Sequence, residues 1–300
     1  MSFTLWSPAK YPLPLPEGHR FPAEKYALLR DQIIAEGVAP ASRVLDPDAA
    51  SDELLRLVHT ADYVERMSLG RLDAAEQRRL GFPWSAALVE RSRRTVGGTL
   101  AAARHALVHG VAMNLAGGTH HAFPDHGEGF CVFNDVAITI RLLQRERRIR
   151  RAVVIDLDVH QGNGTHAVFS GDSSVFTFSM HGAKNYPFEK VPGSLDIELP
   201  DATSDDPYLA HLSDALPRVL HASQPDLVFY LAGADPHEGD RLGRMKLSFA
   251  GLERRDAMVM QACREVGIPI VTMIAGGYGH EIAHTVRVHV ATARILGEFA

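Results

Sequence analysis

Cysteine is scarce in this 300-residue chain, with Cys131 and Cys263 the whole complement. Two thiols cannot build a disulfide framework or a four-cysteine zinc site, and such low usage suits a reducing compartment. No apolar run approaches the roughly 18 to 20 residues of a membrane span, because glycine, proline, histidine or charge interrupts each one. The opening Met-Ser-Phe-Thr-Leu-Trp-Ser-Pro lacks the basic start, apolar stretch and small-residue cleavage site of a signal peptide, so a cytoplasmic location is expected. Positive charge is not in excess either. Lysine plus arginine number 31 against 36 acids, a net of −5, which gives no reason to expect nucleic acid or an anionic membrane as partner. Repeats, low-complexity tracts and long linkers are also missing. One domain over residues 1–300 is therefore expected, with residues 1–22 as an extended, proline-rich strap.

Histidine, by contrast, is abundant at sixteen. It titrates near neutrality and ligates metals, so what matters is whether these residues converge. The hydrophobic pattern shows where they can. Helical spacing over 86–109 stops at Gly110 and leads into an apolar run, 111–115. The unit recurs as 136–148 into 152–155, 209–222 into 227–231, and 251–266 into 268–273, with a further short strand at 174–178. Apolar strands that do not alternate with polar residues are buried on both faces, which predicts an α/β fold with a parallel sheet covered by helices.

Each strand is followed by a polar, glycine-flanked segment: Gly117-Gly118-Thr119-His120-His121, Asp156-Leu157-Asp158-Val159-His160, Gly233-Ala234-Asp235 and Gly276-Gly277-Tyr278. Ligands bind outside the carboxyl ends of strands in open parallel sheets, so these segments are expected to meet in one crevice. Asp156, Asp158 and His160 alternate, and at a strand end they can project to one side. Asp158, His160 and Asp235 make the three-ligand N/O set of a catalytic zinc, leaving Asp156 to orient a neighbour. The His120-His121 pair suits proton transfer, and Tyr278 suits an oxyanion contact. Cys131 reads as a packing residue, because no Cys-His-Asn arrangement accompanies it.

These segments, with Gly129-Phe130-Cys131-Val132-Phe133-Asn134-Asp135 and Gln161-Gly162-Asn163-Gly164, resemble in order the motif series of the zinc-dependent histone deacetylase family. Glu238-Gly239-Asp240-Arg241-Leu242-Gly243 and the strap segment Leu15-Pro16-Glu17-Gly18-His19-Arg20-Phe21-Pro22 make the chain most similar to the class IV group and its bacterial relatives. The resemblance implies a single-domain, three-layer arginase/deacetylase fold with a central eight-stranded parallel sheet. It implies hydrolysis of an Nε-acyl-lysine amide in a protein or peptide by metal-activated water. In that scheme Asp158, His160 and Asp235 hold Zn2+, His120 and His121 act as acid and base, and Tyr278 clamps the oxyanion. Asp156 backs His120. Asn163 stands where many relatives back the second histidine with a carboxylate. Gly129 and Phe130 form one tunnel wall and Phe188 the other. A monovalent cation, K+, maps to Asp156, Ser179 and Met180 with Asp158 and His160. Arg20 either lines an internal cavity or anchors the strap through an ion pair.

Leu242 stands at the tunnel rim where polyamine-preferring relatives carry a glutamate, which argues against a polyamine, although Glu238 or Asp240 could still meet a cation. Two other readings share the fold. An arginase-like ureohydrolase needs further aspartates for a second metal, and the Gly233 to His237 segment offers only Asp235. A catalytically inactive acyl-lysine reader would be expected to have lost a ligand or the tyrosine, and none is missing.

Overall fold

The computed structural model describes residues 3–300. Eight strands, β1 (Leu5–Trp6), β2 (Val44–Leu45), β3 (Val111–Asn114), β4 (Ala152–Asp156), β5 (Val175–Gly182), β6 (Leu195–Leu199), β7 (Leu227–Leu231) and β8 (Ile270–Met273), form one sheet in the order β2-β1-β3-β8-β7-β4-β5-β6. Every neighbouring pair runs parallel. The helices are α1 (Lys25–Ala35), α2 (Asp52–Leu55), α3 (Ala61–Leu69), α4 (Ala74–Leu80), α5 (Ala86–His109), α6 (Asp135–Arg145), α7 (Asn163–Val168), α8 (Asp205–Ser223), α9 (Phe249–Val266) and α10 (Ile282–Glu298).

Alternation along the strands divides the core into two layers. Val153 and Ile155 of β4, with Val228 and Tyr230 of β7, pack under residues of α1, α8, α9 and α10. Their neighbours Ala152, Val154, Leu227 and Phe229 face the opposite layer, where Ala102, Ala103, Val136 and Ile140 of α5 and α6 cover them. Both faces of the sheet are apolar, which is why the strands read as continuous hydrophobic runs. The result is the expected three-layer α/β architecture. A third cluster joins the strap, α2, α3 and α4 beside the carboxyl ends of the strands through Phe21, Leu55, Met67, Leu80 and Phe82, and it includes Tyr278.

Several boundaries differ from the periodic reading. Strand β8 begins at Ile270 rather than 268, beyond Pro269, which has no N–H to donate to a ladder. Strand β5 runs on through Ser179, Met180 and His181, polar and mixed residues that hide the strand pattern. Strands β1 and β2 have two residues each, too few for any period, and β6 is a half-exposed edge. Residues 1–22 are not extended strap throughout: Met1 and Ser2 lie outside the described residues, and Leu5–Trp6 is inserted in the sheet between β2 and β3. No helix is long and apolar enough to cross a membrane among the described residues.

Candidate active site

Strands β3, β8, β7 and β4 are consecutive neighbours in the sheet, so the segments that follow them leave its carboxyl edge side by side. This brings His120 and His121, Gly276 to Tyr278, Asp235, and Asp158 with His160 around one narrow cavity of about 70 Å³. Its walls include Phe130, Phe133, Arg91 and Cys131, and a wider mouth opens above it.

Asp158, His160 and Asp235 are buried, and their ligating atoms lie within 4.8 Å of one another. His160 Nδ1 is 2.9 Å from Asp158 Oδ1 and 3.2 Å from Asp235 Oδ2. Backbone amides fix the carboxylates: Gly276 N–H donates to Asp158 Oδ2 (2.7 Å) and Val159 N–H to Asp235 Oδ1 (2.9 Å). Asp235 Oδ2 is buried, and His160 Nδ1 at 3.2 Å is the polar group that faces it. A Cβ at Gly276 would sit 2.0 Å from that oxygen, so only glycine lets the backbone pass here. Burial and the Asp158 charge push Asp235 up to about 7. Burial opposes the cationic form of His160, but hydrogen bonds and charge from Asp158 and Asp235 prevail and hold its pKa at about 10. The pocket thus gathers two carboxylates around one imidazole nitrogen. One nitrogen and two carboxylates fit a divalent cation that accepts mixed N/O donors, and the absence of thiolate suits a catalytic site with an open position.

The histidine pair is split electrostatically. His120 Nδ1 lies 2.6 Å from Asp156 Oδ2. Burial works against its charge, but Asp156 and Asp158 outweigh it and hold the His120 pKa at about 9. For His121, burial comes first and the positive neighbours His120 and His160 add to it, so its pKa falls well below the ordinary value. His121 Nδ1 donates to Asn163 Oδ1 (2.7 Å), and Asn163 Nδ2 donates to Glu128 Oε1 (2.6 Å). That chain fixes the amide orientation and leaves His121 Nε2 as the proton acceptor. Asp135, from the Phe-Asn-Asp segment, holds the loop carrying the pair by accepting from Gly118 N–H and Thr119 N–H.

Tyr278 is buried beside His160 and Phe130. Its N–H donates to Asp240 Oδ2, and its carbonyl accepts from Arg241 Nε (2.9 Å). Burial and the nearby Asp158 and Asp235 raise its pKa well above 10, so the hydroxyl keeps its proton. Phe130 has left-handed backbone (φ 66), rare for an aromatic residue, and Gly129 before it approaches His121 so closely that a Cβ would meet Cδ2 at 2.6 Å.

The remaining expected positions lie around this centre. Phe188 is 85% exposed and lies at the rim. Tyr186, not Phe188, packs edge-on against His121 and hydrogen-bonds Glu128. Asp240 cannot meet a substrate cation, because it is buried and accepts from the N–H groups of Tyr278, Leu242 and Gly243. Leu242 lines the mouth. Arg20 neither lines the inner cavity nor forms an ion pair among the described residues; it is exposed, with its guanidinium 5.1 Å from the centre of the Phe130 ring. Ser179 is the register partner of Asp156, and its hydroxyl contacts His181 Nδ1 (2.9 Å); Met180 beside it is fully buried.

The sequence reading misses three contributors. Glu128, adjacent to the Gly129-Phe130 pair, could have been suspected from that adjacency. Lys25, at the start of α1, is buried and donates from Nζ to Gly277 O (3.2 Å); burial lowers its pKa to about 8 against the pull of Asp235, Asp240 and Asp158. Arg255, inside α9, is fully buried. Its Nη1 donates to Gly233 O (2.6 Å) and Leu157 O (3.4 Å), and its Nε to Asp256 Oδ1 (2.8 Å). Tyr230 and Thr292 hydroxyls complete the Asp256 carboxylate. Arg255 therefore braces the backbone immediately before Asp158 and two residues before Asp235.

Comparison with known proteins agrees with this geometry. Residues 19–293 match the Histone deacetylase domain. An uncharacterized protein of Picosynechococcus sp. is 45% identical over 96% of this chain and 96% of its own length. Histone deacetylase 2 of Arabidopsis thaliana is 33% identical over 87% of this chain and 70% of its own. The crystal structure of an HDAC homologue complexed with SAHA superposes with a TM-score of 0.87 at 26% identity, covering 99% of this chain and 84% of that one. On the extent of the domain match, this chain belongs to the histone deacetylase family and is a hydrolase acting on amide bonds.

Proposed function

We propose that this chain is a zinc-dependent lysine deacylase of the class IV, bacterial type, acting in the cytoplasm on Nε-acyl-lysine in proteins or peptides. The observation that carries the reading is the convergence of the Asp158, His160 and Asp235 cluster with an oppositely tuned histidine pair and a protonated tyrosine at the bottom of one narrow cavity. When bound by those three residues, zinc supplies a Lewis acid that polarises the acyl carbonyl and acidifies the attacking water. The remaining steps belong to side chains. His121, neutral and with Nε2 free, accepts the proton of the attacking water. His120, cationic against Asp156, returns a proton to the leaving lysine amine. A cation at Asp158 would lower both histidine pKa values and leave their order, since Asp156 backs only His120. The Tyr278 hydroxyl donates to the oxygen on which charge develops. Gly129, Phe130 and Tyr186 flank the entrance and exclude water from the lysine stem, with Leu242 and Phe188 farther out. The reading extends to potassium at Asp156, Ser179 and Met180, which the β4–β5 register sets side by side.

A two-metal ureohydrolase is disfavoured, because Asp158, His160 and Asp235 are the only metal-competent group of this kind among the described residues. The inactive reader is disfavoured by the complete set of ligands and proton carriers. The test is zinc-loaded wild type and Tyr278→Phe on lysine peptides carrying acetyl and longer acyl groups, with N-acetylpolyamines and arginine alongside. Expected is cleavage of an acyl-lysine peptide, with kcat lowered about 100- to 1,000-fold in the variant, KM little changed and zinc content equal. Hydrolysis confined to arginine or polyamine, or full activity in Tyr278→Phe, would contradict the proposal.

A further inference from the structure

The mouth above the cavity, about 720 Å³, is lined by Arg20, Arg78, Arg79, Lys184, Arg241 and Arg244, and by no aspartate or glutamate. These cations reach the rim from four separate segments: the strap, the last turn of α4, the loop after β5 and the loop after β7. Lys184 and Arg244 share Asp201, at 3.9 and 3.1 Å. Arg20, Arg78, Arg79 and Arg241 form no ion pair among the described residues, and Arg241 instead donates to the Tyr278 and Arg20 carbonyls. Such concentration stands out in a chain whose net charge is −5. Like charges gathered with few counter-charges repel one another, and the arrangement becomes more favourable when an anion arrives. Because the cations come from four separate segments around a mouth of this size, a single small anion would engage only some of them. An extended acidic segment lying across the mouth meets several of them beside the inserted side chain.

We infer that the substrate of this site is an acyl-lysine with aspartate or glutamate among its flanking residues, and that Arg20, Arg78 and Arg79 select it over the lysine- and arginine-rich segments this rim repels. The inference rests on the deacylase reading and adds to it the chemistry of the surrounding chain. Arg78 and Arg79 are the residues to alter, since their side chains are exposed on α4; the one link to the tunnel, Gly129 N–H to the Arg79 carbonyl, is made by backbone and survives a side-chain change.

The experiment compares kcat/KM of the zinc-loaded enzyme on three peptides with the same central acyl-lysine, flanked by aspartates, alanines or arginines, at low and high salt. At low salt the acidic peptide is expected to exceed the basic one by about tenfold or more, mainly through KM, and screening should reduce the ratio to about threefold or less. Arg78→Glu/Arg79→Glu should reduce or reverse the preference and leave the alanine peptide unchanged. Equal kcat/KM for all three peptides in the wild type overturns the inference while leaving the deacylase reading intact. A double variant that slows the alanine peptide as much as the acidic one also overturns it. So does a free acyl-lysine, carrying only its own carboxylate, cut as well as the acidic peptide. Failure of the wild type on every peptide overturns the deacylase reading and the inference with it.

Discussion

The floor of the pocket and its rim both use arginine, in opposite states. At the floor Arg255 is fully buried, locked to Asp256 and to the carbonyls of Leu157 and Gly233, and it acts on the backbone that carries the metal-competent carboxylates. At the rim Arg78 and Arg79 are exposed and without ion-pair partners among the described residues. Burial with a partner makes a charge a structural element, because removing either member strands the other in low dielectric. Exposure without a partner leaves the charge free for an incoming group. The difference teaches that residue type alone does not separate architecture from recognition, whereas the state of the partner does.

Unfolding measurements should separate the two arginine sites by the largest margin. Arg255→Met should lower stability by about 3–5 kcal/mol, because Asp256 loses its cation in a dry site. Arg78→Gln/Arg79→Gln should change it by no more than about 0.5 kcal/mol. Comparable denaturation midpoints for the two variants would erase the distinction.

A subtler difference separates the two histidines. Asn163→Asp would place a carboxylate on His121 Nδ1, matching the arrangement at His120. The His121 pKa should rise, so that this base becomes protonated at higher pH and the acid limb of kcat/KM moves upward. Superimposable pH profiles for wild type and variant would show that the neutral amide is not what keeps His121 available as a base.

Much of the fold could be read before folding. The stretch 86–109 has helical spacing, good helix formers and Gly110 to stop it, and α5 spans those residues. The run 227–231 is apolar throughout and becomes β7. Once parallel strands are read, convergence of the strand-end segments follows from topology, and His120, His121, Asp158, His160, Asp235 and Tyr278 do meet. What could not be read depends on tertiary distance. Strands β1 and β2 are too short to carry a period. Arg255 looks like any polar residue in a helical pattern, and only the packing of α9 under β4 and β7 turns it into a brace. Phe188 lines only the outer mouth, because the segment after β5 turns Tyr186 toward His121 and leaves Phe188 exposed. The rim charges are scattered over four segments, so their concentration exists only in space.

The central claim is that Asp158, His160 and Asp235 hold one divalent cation on which this chain's amide hydrolysis depends. The most direct measurement is zinc titration of chelator-stripped wild type and Asp235→Asn, following thermal unfolding and acyl-lysine hydrolysis on the same samples. One equivalent should raise the Tm of the wild type and restore its activity together, and the variant should show neither change at that concentration. Wild-type activity that survives complete metal removal, or identical titrations of the two proteins, would contradict that claim.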